Sequence, residues 1–174
     1  MDFEAQPVLR GPTLCLRPLA PDDQEPLWEA ARDPLIWEQH PDKTRYDRAG
    51  FLRFFHDSLG SKGALAVVDL ASGRIIGTSR FYDWDAARRE IAIGYTFLAR
   101  QYWGGPANAE MKQLMLRHAA RWAQGMWFHV ATTNLRSRRA MEKLGARARL
   151  EGKRPLNGAR VDFVYYRIDG ADVR

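Results

Sequence analysis

Cysteine is almost missing from this sequence: Cys15 stands alone in 174 residues, so no internal disulfide can form. No Cys/His cluster has zinc-site spacing either, which leaves the fold to its core, without cross-links or a structural metal. No segment approaches the ~18 consecutive apolar residues that a membrane-spanning helix needs. The opening Met1-Asp2-Phe3-Glu4 is acidic where a secretory signal would be basic. A cytoplasmic protein that neither enters nor crosses a membrane is therefore expected. Internal repeats, low-complexity tracts and long linkers are absent too, so residues 1–174 are expected to form a single domain. HExxH, GxSxG, a Walker P-loop and GxGxxG do not occur, which argues against metalloprotease, serine-hydrolase, NTPase and dinucleotide chemistry.

What is present is the composition of a folded chain, 45% apolar and 28% charged. Formal net charge is +6, from 27 Lys plus Arg against 21 Asp plus Glu. Arginine predominates, and its forked donors suit phosphate. The expected partner is anionic: nucleic acid and a polyphosphate cofactor both qualify, although no stacked-aromatic or helix-turn-helix pattern favours nucleic acid.

Periodicity gives the order of elements. Alternation around Leu14, Leu16 and Arg17 predicts a strand over 13–19. Pro21-Asp22-Asp23 caps a helix carrying Leu27, Trp28 and Ala31, and Phe51, Leu52, Phe54, Phe55 and Leu59 mark a second helix. Residues 33–46 read as an ordered loop. A hairpin over 64–82 follows, then a strand over 90–98 in which Ile91, Ile93, Tyr95 and Phe97 are expected to share one face. A helix is predicted over 108–124 and a strand over 127–132. The next helix is bounded by Asn134 as N-cap and Gly145 past its end, and two strands follow, over 146–155 and 160–168.

Two segments point to an anion. Gly104-Gly105-Pro106 stands at a strand-to-helix junction, where bare N–H groups and the helix dipole favour phosphate, although a plain tight turn has the same composition. Arg136, Arg138 and Arg139 crowd the first turns after Asn134, the helix end where cations are disfavoured; a bound anion would relieve that conflict, and a solvated basic face would tolerate it. Ser137 adds a hydroxyl to that region. His40, His56, His118 and His129 are scattered, without a shared spacing.

The run Tyr-Trp-Gly-Gly-Pro-Ala-Asn-Ala-Glu-Met-Lys at 102–112 resembles the acetyl-CoA pyrophosphate loop of the GNAT superfamily. More narrowly, it resembles the branch of ribosomal-protein N-terminal (alanine/serine) acetyltransferases. Asn134-Leu-Arg-Ser-Arg-Arg-Ala-Met-Glu-Lys-Leu-Gly145 is similar to that branch's Asn-x-x-Ser-x-x-Ala helix. Leu16-Arg17-Pro18-Leu19 and Glu90-Ile91-Ala92-Ile93-Gly94-Tyr95 also match, so nearly the whole chain is covered in order. The resemblance implies a mixed α/β (α+β) fold, with a mostly antiparallel sheet of about seven strands and helices on both faces. It implies direct transfer of an acetyl group from acetyl-CoA, a co-substrate, to a primary amine in a ternary complex, without a metal. The acceptor would be a protein N-terminus or a small molecule such as an amino acid, polyamine or antibiotic. A non-catalytic acyl-CoA-binding module is the alternative.

Residue by residue, the resemblance implies that the backbone of Phe97, Leu98 and Ala99 pairs with pantetheine. Trp103, Gly104, Gly105, Ala107, Asn108 and Ala109 would cradle the pyrophosphate, although Pro106 and Asn108 depart from the usual loop. Asn134, Arg136 and Ser137 would lie along the cofactor. Glu90, opening the strand that lines the cofactor, is the candidate base. The position where many relatives carry a tyrosine acid is Met141, which has no proton to give, so Ser137 is the candidate substitute. Trp37 and Tyr46, with His40, are candidates for an acceptor-binding wall.

Overall fold

The computed structural model describes residues 2–173. Its strands are β1 (Leu9–Arg10), β2 (Leu14–Pro18), β3 (Ala64–Asp69), β4 (Ile75–Asp85), β5 (Glu90–Leu98), β6 (Gly125–Ala131), β7 (Arg147–Leu156) and β8 (Ala159–Asp169). The helices are α1 (Gln24–Ala31), α2 (Arg48–Gly60), α3 (Ala107–Ala120) and α4 (Leu135–Lys143). The strands form one sheet in the order β1-β2-β3-β4-β5-β6-β8-β7. Every pairing is antiparallel except β5 with β6. The eighth strand is the two-residue β1, too short to leave a periodic trace in the sequence.

Two apolar layers flank the sheet. On one side α1 and α2 bury Leu27, Ala31, Phe51, Phe54 and Phe55 against Ala64, Ala66 and Phe97. On the other, Met111, Met115, Leu116 and Ala119 of α3 and Met141 of α4 meet Leu14, Leu16, Ile91, Ile93, Met126 and Phe128. At roughly 1.5–3 kcal/mol for each large side chain removed from water, these layers are the main source of stability.

The expected alternation along β5 fails at one residue. Thr78 of β4 pairs with Phe97 and Arg80 with Gly94, so two steps on β4 oppose three on β5. This bulge is centred on Tyr95, whose φ of 51° lies in the left-handed region. The extra residue reverses the sidedness of the rest of the strand. Ile91 and Ile93 face α3, Phe97 packs with α1 and α2, and Tyr95 is 41% exposed. Period-two reading of sequence has no means of seeing an inserted residue.

Helix ends follow their capping residues. Asp47 accepts from Gly50 N at 2.7 Å and starts α2. Asn134 accepts from Ser137 N at 3.2 Å and starts α4. α4 ends with Gly145 at φ 84°, and the N–H groups of Gly145 and Ala146 donate to the carbonyls of Glu142 and Met141, a Schellman closure. The 33–46 segment is ordered by two short 3-10 turns, Pro34–Ile36 and Lys43–Tyr46, capped by Asp33 and Asp42. Among the described residues no helix is long and apolar enough to cross a membrane.

Candidate active site

The parallel pair β5/β6 is held over only three partners, Glu90 with Gly125, Ile91 with Met126 and Ala92 with Trp127. Beyond Ala92 each strand keeps only its outer neighbour, β4 for β5 and β8 for β6. The bulge at Tyr95 lies in the part of β5 that has left β6. The result is a V-shaped split whose inner edges, from Ile93 to Leu98 and from Phe128 to Ala131, carry backbone groups without a strand partner. A cavity of about 1060 Å³ occupies the split. An extended ligand with its own amides can hydrogen-bond such an edge as an added strand would.

The mouth of the split is the N-terminus of α3. Its N-cap is Pro106, which offers no side-chain cap, so the first N–H groups of the helix stay open to a ligand. Gly104 has φ 71°, a conformation glycine adopts without strain. A Cβ built on Gly104 or Gly105 would meet nothing within 4 Å, so these glycines keep space open above the helix end. Glu110 anchors this end to β2, accepting from the N–H groups of Thr13 and Leu14, both at 2.9 Å. Trp103 Nε1 donates to Leu98 O at 3.0 Å and holds the loop against β5.

α4 forms the facing wall. Arg136 stacks on Trp103, its guanidinium carbon 4.0 Å from the ring centroid, and donates to Ile36 O at 2.7 Å. Its N–H donates to Gln39 Oε1 at 3.0 Å. This one side chain ties the loop after β5, the 33–46 segment and α4 together. Arg138 turns to the Tyr166 hydroxyl and Thr132 O, and is not among the cavity residues, whereas Arg139 and Lys143 are. Arg136 and Arg138 thus already have acceptors within the protein, which explains the basic first turn of α4 without an anion.

Farther along the split lie Lys112, Tyr82 and His129, to which sequence patterns assign no role, and His40, a candidate for the acceptor wall. Lys112 of α3 is 3% exposed; its Nζ lies 2.7 Å from Thr96 Oγ1 and 3.5 Å from Ser79 Oγ. Burial lowers its pKa to about 7. Tyr82 of β4 meets Nδ1 of His129 at 3.0 Å, and Arg154 contacts the same ring nitrogen. Burial, then the Arg154 charge, bring His129 down to about 4, and burial raises the Tyr82 hydroxyl. His40 accepts from Asp42 N at 3.0 Å, and burial, with the nearby Arg45 charge, lowers it to about 3. The trace of Lys112 in the sequence is its spacing: Lys112 and Leu116, four apart, widen the buried face marked by Met111, Met115 and Ala119.

The cavity brings together Phe97, Leu98, Trp103, Gly104, Gly105, Asn108, Ala109, Asn134, Arg136, Ser137 and Trp37. Ala99 and Ala107 are not among its lining residues, and Ala107 is buried in the core. Trp37 is itself largely core, 2% exposed, with Nε1 donating to Ala31 O at 2.7 Å. Tyr46 does not join it: its ring is 45% exposed and outside the cavity. Glu90 is also elsewhere. It sits where β5 and β6 are still paired, and its carboxylate faces Arg167 Nη2 at 3.5 Å, an ion pair outside the split. Met141 is buried beside the cavity, without a donor. No cluster of three His, Cys, Asp or Glu among the described residues could hold a metal ion.

A parting sheet with an uncapped, glycine-led helix at its mouth suits an extended ligand with an anionic end, as an acyl-CoA-dependent acyltransferase requires. The chain matches the acetyltransferase (GNAT) domain over residues 13–147 and belongs to that family. It is accordingly an acetyl-CoA-dependent acetyltransferase. Among solved structures it is similar in fold to a GCN5-related N-acetyltransferase from Brucella melitensis, with TM-score 0.85 and 20% identity over 96% of this chain and 80% of that one. It is likewise similar to the microcin C7 self-immunity acetyltransferase MccE in complex with acetyl-CoA and AMP, with TM-score 0.75 and 14% identity over 91% and 93%. A third is a Vibrio cholerae protein provisionally assigned as a ribosomal-protein-serine acetyltransferase, with TM-score 0.77 and 11% identity over 96% and 99%. No curated protein matched by sequence.

Proposed function

We propose that the protein acetylates a primary amine whose remainder carries no second positive charge, by direct attack on acetyl-CoA in a ternary complex. The observation that carries this is the charge of the cavity. Arg45, Lys112, Arg136, Arg139, Lys143 and Arg154 line it, and no aspartate or glutamate does among the described residues. The cofactor's phosphates account for cations near the mouth. They do not account for Arg45 and Arg154, which accompany His40 and His129. Arg45 is paired with Asp42 and Arg154 with Asp83, but no carboxylate lines the cavity among the described residues, so a polyamine or an aminoglycoside would find no anion to hold its further charges there, whereas a peptide N-terminus or an amine bearing a carboxylate or phosphate needs none. Of the acceptors considered from sequence, this favours a protein N-terminus or an amino-acid-like molecule.

In this reading the backbone of Phe97 and Leu98 pairs with the pantetheine amides along the open edge of β5. The N–H groups of Gly104, Gly105, Asn108 and Ala109 hold the pyrophosphate, and Ala107 contributes only its N–H. Asn134, Arg136 and Ser137 flank the arm from α4. Cys15 is buried in β2 and lies outside the cavity, which favours direct transfer over an acyl-cysteine route. The test is thiol release with peptides beginning in Ser or Ala, acidic amino acids, phosphate-bearing amines, spermidine and an aminoglycoside. Turnover is expected in the first three groups. Turnover confined to the polycations would overturn the proposed acceptor class, and tight acetyl-CoA binding without turnover on any broad panel would favour a non-catalytic module.

A further inference from the structure

Lys112 is a buried cation held without a counter-charge among the described residues. Of the other buried charges, Asp23 pairs with Arg17, Arg45 pairs with Asp42, and Arg80 donates to Ser58 Oγ and lies over the Tyr95 ring. Lys112 has instead two hydroxyls, Thr96 Oγ1 at 2.7 Å and Ser79 Oγ at 3.5 Å, which lie 2.7 Å from each other, and the face of Phe128 at 5.5 Å. Burying an unpaired ammonium is among the costliest things a fold can do, and a methionine or leucine would fill the same space beside Met111 and Met115 without that cost. Such a group, on the wall of the reaction cavity, is a candidate for proton chemistry.

Its position is specific. Thr96 stands between the bulge at Tyr95 and Phe97, at the level where the split lies open, and Lys112 approaches from α3 beneath. Lys112 is five steps along α3 from its first residue, Ala107, so it lies ~8 Å below the mouth along the helix axis. Other ionisable side chains line the cavity, among them Tyr82, which meets His129, Tyr102, which donates to Asp69, and Tyr95 and Lys143, but none of these is a buried cation held by hydroxyls alone. Met141 has no proton, the hydroxyl of Ser137 is not appreciably acidic, and Glu90 is outside. His40 and His129, held near 3 and 4, stay neutral at physiological pH and are weak bases.

Resting on the acetyl-transfer reading, we infer that the Lys112 amine is a catalytic acid–base group of the transfer. The acceptor nitrogen forms the C–N bond with its lone pair, the carbonyl re-forms, and the C–S bond breaks with its electron pair going to sulfur. The ammonium of Lys112 gives that sulfur its proton, and the resulting amine takes the proton released by the new amide nitrogen. Lysine ends as it began, with the Ser79 and Thr96 hydroxyls accepting hydrogen bonds from it in its charged form. An ammonium with a pKa of about 7 is more acidic than a thiol of ~8.5, so the first transfer is downhill.

The test begins without a variant. NMR titration of wild-type protein labelled at lysine Cε is expected to show one lysine titrating near pH 7; its loss in Lys112→Met assigns it. If every lysine titrates above about pH 9, the proposal is overturned. Single-turnover kinetics at saturating acetyl-CoA are then compared in Lys112→Met and Lys112→Arg. Both are expected to lose about 100-fold or more in rate, together with the near-neutral inflection of the pH profile. Arginine keeps the charge but cannot give up its proton, so it should not rescue. Acetyl-CoA affinity by calorimetry should stay within about threefold in both, which separates lost chemistry from lost binding. Retained rate and inflection in Lys112→Arg would overturn the role. So would stoichiometric acetylation of Lys112 by mass spectrometry, because that makes it a nucleophile. Wild-type protein that binds no acetyl-CoA would instead overturn the acetyl-transfer reading on which this one stands.

Discussion

At the scale of single residues, the site shows how burial sets chemistry. Lys112 has an ordinary value of 10.5 when solvated and about 7 in the fold, because the apolar layer between α3 and the sheet disfavours its charge. Between those two values the unfolded chain holds one more proton than the folded one, so stability rises with pH across that interval. Below about pH 7 the full cost of the buried charge is present. Lys112→Met is therefore expected to be more stable than wild type at pH 6, by on the order of a few kcal/mol. The difference should shrink towards pH 10 in urea denaturation followed by circular dichroism; a gap that does not change with pH would mean that Lys112 is not desolvated. Arg136 is the opposite case: its charge is used structurally, against Trp103 and Ile36, so its loss should loosen three segments at once.

At the scale of elements, the cavity is shaped by two irregularities, the bulge in β5 and the bare start of α3. Gly104 and Gly145 both have positive φ, at 71° and 84°, but in different roles. Gly145 closes α4, and Gly104 keeps the mouth of the split open. Either glycine replaced by alanine should cost roughly 1 kcal/mol of stability through the left-handed backbone. Only Gly104→Ala should also weaken acetyl-CoA binding, by about tenfold in calorimetry, since its methyl would enter the space proposed for the pyrophosphate. Equal loss of affinity in both variants would mean that the loop acts through global stability alone.

For the molecule as a whole, one sheet that stays joined at one end and parts at the other makes the cavity, and the surrounding charge makes it attractive to anions. With a net charge of +6 and a cavity wall free of carboxylates among the described residues, acetyl-CoA binding should weaken on going from about 0.05 to about 0.5 M salt as the Debye length falls. At a hundredfold excess over its dissociation constant the cofactor should stabilise the protein by about 3 kcal/mol, seen as a rise in melting temperature. An affinity indifferent to salt would contradict the electrostatic account of the cavity.

Much of this was legible in the amino-acid order. Period and caps located most strands and all four helices, because hydrophobic spacing and Asx or glycine capping are local properties. The turn at 102–108, in its place after a strand and before a helix, marked the mouth of the cavity for the same reason. What the local patterns could not contain was sidedness after Tyr95, since one inserted residue in β5 is visible only against its partner β4. Nor could they show that Glu90 falls on the joined side of the split and Lys112 on the open side. Those placements depend on where β5 and β6 stop pairing, a contact between segments more than 30 residues apart in sequence. Local chemistry determined the elements and the class of cofactor; the partners across the sheet decided which charged side chain lines the cavity.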